Sequence, residues 1–149
     1  MKTLLVEWQR LLDDQKQTCP RCSSTEQEVE KAVKELNQLL EPSGVVASLV
    51  KKAIDPEIFK KDVLQSNKIL IAGKLMEEWL GAKTGQSKCC ETCGDAECRT
   101  VVYADETHEA IPADLIVRAG LVAAAHEFKL QPPHTVSRIP VLQLKFKRI

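Results

Sequence analysis

An α/β fold is predicted by three features of the sequence. Apolar runs of strand length recur at 3–12, 45–54 and 67–73. A stretch with three- and four-residue apolar spacing lies between the first two runs, and a second one follows at 112–128. The 149 residues are enough to bury a sizeable core. They are read as one domain over 1–149, with a cysteine-rich insert at about 82–103 and a C-terminal extension at about 129–149.

Each element follows from local chemistry. "TLLVEWQRLL" (3–12) mixes Leu, Val and Trp with polar positions and reads as a strand, with a short helix as the alternative; "DDQKQ" is a polar loop. From Ser23, the residues Val29, Ala32, Val33, Leu36, Leu39 and Leu40 fall at helical spacing. Ser23, Ser24 and Thr25 are cap types, Glu26 and Glu28 suit a first turn, and Pro42 with Gly44 stops the helix. "VVASLVKKAI" (45–54) reads as a strand, "DPEIFKKDVLQ" (55–65) as a helix opened by Asp-Pro, and "NKILIAG" (67–73) as a strand. "KLMEEWLG" (74–81) is a short strand running into a helix end, and "RTVVY" (99–103) is one more strand. Pro112 opens the last helix, whose face is drawn from Leu115, Ile116, Ala119, Val122 and Ala123; Gly120 lies inside it. The tail "VLQLKFKRI" alternates like an edge strand.

Composition narrows the function. Lys plus Arg equals Asp plus Glu at 21 each, so charge offers no attraction to nucleic acid or an anionic membrane. The opening apolar run is too short for a signal peptide and is broken by Glu7. A cytoplasmic location is expected. There, closely spaced thiols among the six cysteines are more often redox-active or metal-bound than structural disulfides.

Cys19 and Cys22 frame Pro20 and Arg21 at the start of the long helix. Unpaired N–H groups and the helix dipole stabilise a thiolate there, and Arg21 adds positive charge. Cys19 is expected to be the exposed nucleophile of thiol–disulfide exchange, and Cys22 to resolve the mixed disulfide. The same spacing is half of a zinc site, which Cys90 and Cys93 would complete.

A strand, then "CPRC" opening a helix, then strand, helix and the "KILIAGKLM" hairpin resembles the thioredoxin-like fold. Together, "CPRC", "ILIAGKLMEEWLG", "CCETCGDAECRTVVY" and "EAIPADLIVRAGL" are similar to a small prokaryotic family of unknown function classed as thioredoxin-like. The resemblance implies a central sheet flanked by helices, with the insert before the last helix. Thioredoxins place a cis-proline before the third strand, facing the redox pair, and an aromatic residue before the first cysteine. This chain has Ser66, Asn67 and Lys68 at the first place and Thr18 at the second.

The second thiol group is "CCETCGDAEC" (89–98). Cys90 and Cys93 can turn both sulfurs to one ion, with Gly94 easing the turn, and Cys98 can close the loop. Cys89, the Cys19/Cys22 pair, His108 or an exogenous group supplies a fourth ligand. Zinc or another soft metal ion is expected at Cys89, Cys90, Cys93 and Cys98; a dithiol relay to Cys19/Cys22 and an iron–sulfur cluster are the competing roles. The sequence thus points to a thiol–disulfide or soft-metal redox protein acting on a thiol or disulfide partner protein or a soft-metal species. The alternative is a non-enzymatic metal binder or metallochaperone with all six thiols as ligands.

Overall fold

The computed structural model describes residues 1–12, 19–88 and 96–130. It is a mixed α/β arrangement with two sheets. The first strand, β1 (Lys2–Leu11), is followed by helix α1 (Pro20–Leu40), strand β2 (Val45–Ile54) and the short helix α2 (Pro56–Lys61). Strands β3 (Lys68–Ile71) and β4 (Lys74–Leu75) come next, then helix α3 (Met76–Leu80). Strands β5 (Lys83–Lys88), β6 (Glu97–Tyr103) and β7 (Glu106–His108) precede helix α4 (Ala113–Phe128).

The first sheet has the order β2-β1-β3-β4. β1 and β2 run parallel, with Leu4 opposite Ala47, and the long α1 makes the crossover that parallel pairing requires. β3 runs antiparallel to β1, and β4 antiparallel to β3. Leu4, Val6 and Trp8 alternate on the buried face of β1, while Leu5 on the other face is part-exposed. The buried face meets α1 and α4, whose Leu36 and Ile116 belong to the same core. At the α1–α4 crossing a Cβ on Gly120 would stand 2.6 Å from Leu36 Cδ1, so glycine is what lets the helices approach. Asn37 ties α1 to the sheet: its Oδ1 accepts from Ala47 N at 2.8 Å and its Nδ2 donates to Ala47 O at 3.0 Å.

Several expectations need correction. α1 begins at Pro20, not after the serines, because Cys19 is extended and Pro20 already holds a helical φ. Leu39 and Val122, counted on the apolar faces, are exposed. The helix from Asp55 ends at Lys61, where Asp62 takes an extended φ of −153° before a short 3₁₀ turn. The region around 82–103 is not a lone strand within an insert: β5, β6 and β7 form a second, antiparallel sheet. β5, "KTGQSK", has no large apolar residue, so periodicity could not find it; it is a strand because β6 pairs with it. Val101 of β6 and Ile111 join the same core as β1. The strand expected in the tail lies outside the described residues.

Candidate functional site

The N-terminus of α1 carries the first thiol pair. Cys19 is the N-cap residue, and Cys22 lies in the first turn. Residues three apart at a helix start lie on one face, so the two cysteines are neighbours that a modest local adjustment would bring within disulfide reach. The expected exposure of Cys19 is overturned: Cys19 is 4% exposed and Cys22 3%. Both are packed into the main core with the residues of β1 and α1.

Arg21, between the two cysteines, reaches the β5–β6 hairpin. Its Nη1 donates to Ser87 O and Cys98 O, each at 3.3 Å. Its Nη2 donates to Lys88 O at 2.7 Å, Ser87 Oγ at 3.0 Å and Glu109 Oε2 at 2.6 Å. Ser87 Oγ in turn donates to the same Glu109 oxygen at 2.8 Å. The guanidinium is thus a clamp with five donated bonds. Lys88 immediately precedes Cys89 and Cys98 ends the cysteine cluster, so the clamp grips both borders of the second thiol group.

The opposite wall is the turn before β3. Ser66 is buried, accepts from Leu11 N at 3.0 Å, and has its Oγ 3.7 Å from Cys22 Sγ. Asn67 has φ of +60°, a left-handed conformation that asparagine tolerates better than most residues. Its side chain is held on two sides: Trp8 Nε1 donates to Oδ1 at 3.1 Å, and Nδ2 donates to Glu109 O at 3.2 Å. The segment leading to α4 is pinned to α1 as well. Ile111 N donates to Thr25 Oγ1 at 3.1 Å, and Ala113 N to Glu28 Oε1 at 2.9 Å.

Residues 4–120 match the family described as a domain of unknown function (DUF2703). The chain belongs to this family. The match takes in the first thiol pair, the clamp and the whole second sheet. An uncharacterized protein of Archaeoglobus fulgidus is 42% identical over 113 residues, which cover 76% of this chain and 82% of that protein. No solved structure matches.

Of the DUF2703 residues expected to hold a metal, Cys89, Cys90 and Cys93 lie outside the described residues. Cys98 is 3% exposed and packs with Leu11, Ile54 and Phe59. Among the described residues no group of three or more His, Cys, Asp or Glu gathers as a metal site. His108 is on β7 with its Nε2 3.7 Å from Glu106 Oε2. Trp8 is core and Trp79 packs against it, donating from Nε1 to Ile71 O at 2.7 Å.

Sequence reasoning missed Ser87 and Glu109, and it named Ser66 only by the proline it replaces. Their parts depend on contacts across 88, 66 and 44 positions of chain, which no local pattern announces. Among the described residues no helix is long and apolar enough to cross a membrane.

Proposed function

We propose that this protein carries out thiol–disulfide chemistry at Cys19 and Cys22, with the second cysteine group held beside them as an exchange or metal-binding partner. The observation that carries it is the Arg21 clamp: the residue at the centre of the first motif bonds to the carbonyls of Lys88 and Cys98, which border the second. The residue between Cys19 and Cys22 is thereby tied to the two residues that border the 89–97 stretch of the second motif. Two further features support a thioredoxin-like framework. The sheet order β2-β1-β3-β4 has one parallel and two antiparallel pairings, with the motif on the crossover helix. The turn before β3 faces the pair, with Ser66 against Cys22.

In the exchange, the Cys19 thiolate attacks a partner disulfide and releases one partner thiolate. Cys22 then attacks the mixed disulfide, leaving Cys19–Cys22 oxidised and the partner with two thiols; two electrons pass to the partner. Burial of both sulfurs restricts direct attack to small disulfides or to a disulfide formed within the chain itself. A cytoplasmic location fits a pair that must be re-reduced.

Burial also favours a second function, a soft-metal binder such as a zinc protein or metallochaperone, because closed ligand sets are shielded from solvent. Elemental analysis of anaerobically purified protein, paired with a free-thiol count, separates the two. Redox function predicts reversible oxidation of Cys19 and Cys22, lost in Cys19→Ser with metal content unchanged. A binder predicts stoichiometric metal that Cys90→Ser or Cys93→Ser removes.

A further inference from the structure

We propose that Ser66 is a positioning residue whose hydroxyl, through its hydrogen bond to Cys22 Sγ, holds the Cys19–Cys22 pair toward its reduced form. This deepens the thiol–disulfide function above and rests on it. A serine hydroxyl has one hydrogen and two acceptor lone pairs. Leu11 N occupies one lone pair of Ser66 Oγ at 3.0 Å, and Cys22 Sγ stands 3.7 Å away. The hydrogen is therefore available to the sulfur. When Cys22 is a neutral thiol, its S–H can instead donate to the second lone pair, so one hydroxyl serves both protonation states.

The surroundings fix that hydroxyl in advance. Ser66 N donates to Val63 O at 3.3 Å. The next residue, Asn67, is locked in its left-handed conformation by Trp8 on one side and Glu109 on the other. A backbone strained in this way persists only where its surroundings over-determine it, and such places cluster at functional sites. An anionic sulfur accepts a stronger hydrogen bond than a neutral disulfide sulfur. The bond is thus worth more to the reduced pair than to the oxidised one, and a stabilised reduced form makes a dithiol harder to oxidise.

The test equilibrates the full chain anaerobically with mixtures of oxidised and reduced dithiothreitol. In that reaction the pair's two thiols become one disulfide, the reagent's disulfide becomes two thiols, and two electrons and two protons move to the reagent. Trapping by alkylation and peptide mass spectrometry reads Cys19 and Cys22 separately from the other thiols. Ser66→Ala is expected to shift the equilibrium about fivefold toward the disulfide, as loss of one ordinary hydrogen bond implies. Ser66→Thr keeps the hydroxyl and stays within about threefold of the unaltered chain. Ser66→Gly removes the same hydroxyl and replaces Ser66→Ala if that variant does not fold. Asn37→Ala, which loosens α1 far from the pair, leaves the equilibrium where it was. A hydroxyl-free variant within about twofold of the unaltered chain overturns the proposal, as does a Ser66→Thr shift as large as that of Ser66→Ala. Failure of the unaltered chain to form a Cys19–Cys22 disulfide at any ratio overturns the underlying function instead.

Discussion

Two of the arginines that join the second sheet to the rest of the molecule, Arg99 and Arg21, do so differently. Arg99 works from the middle of β6. Its Nη2 lies 2.6 Å from Glu77 Oε2, both side chains are about 5% exposed or less, and its Nη1 donates to Leu64 O at 2.8 Å. Thr84 completes that network by donating to Glu77 at 2.7 Å. Arg21 works from the turn end of the hairpin, mostly through backbone carbonyls, and its one acidic partner, Glu109, is 58% exposed. Both guanidinium groups are buried, but removing Arg99 strands a buried carboxylate, whereas removing Arg21 leaves a carboxylate that water already reaches. The comparison separates a buried ion pair from a set of bonds that ties the Cys19–Cys22 motif to the hairpin.

That separation can be broken by measurement. The largest effect is expected for Arg99→Ala, which leaves Glu77 buried without a countercharge and costs about 3–5 kcal/mol in denaturant unfolding. The double change Arg99→Met with Glu77→Leu should recover most of the loss, because the uncompensated charge is gone. Gly120→Ala provides the apolar scale for the first layer: the new methyl meets Leu36 at 2.6 Å, and overpacking of this kind costs about 1–3 kcal/mol.

Arg21→Ala should cost less, about 1–2 kcal/mol. Its signature is local, a faster amide exchange at the turn end of β5–β6 with the Arg99 end still protected. A loss equal to that of Arg99→Ala would make both arginines structural and remove the clamp as support for the thiol function.

The smallest effect belongs to Asp62, at an exposed 3₁₀ turn. Bonds from Gln65 Nε2 and Leu64 N hold its carboxyl below the ordinary value of 3.8. A depressed carboxyl stabilises the fold above its unfolded-state value, and that contribution fades as pH falls through the lower folded-state value. Asp62→Asn should therefore change stability at neutral pH by no more than about 0.5 kcal/mol, and flatten the acid limb of an unfolding titration slightly.

Much of the first layer was legible because its signals are local. Spacing of Val29, Ala32 and Leu36 announced α1, the mix of Leu, Val and Trp with polar residues over 3–12 announced β1, and Asp55-Pro56 announced α2. The motif around Arg21 was legible too, since two cysteines three positions apart at a helix start need only local chemistry to be noticed. β5 was not, because "KTGQSK" has no strand pattern of its own and takes its shape from Arg99, Thr100 and Val101 across the ladder.

The sequence by itself therefore determined the α/β class, the long helix and the thiol pair at its tip. Only the tertiary structure decided that the pair is buried, that Arg21 turns to the hairpin and that Ser66 meets Cys22. The physical reason is range. Helix and strand preferences are set by neighbours a few residues away, whereas burial and side-chain partnership depend on which distant segments the core brings together.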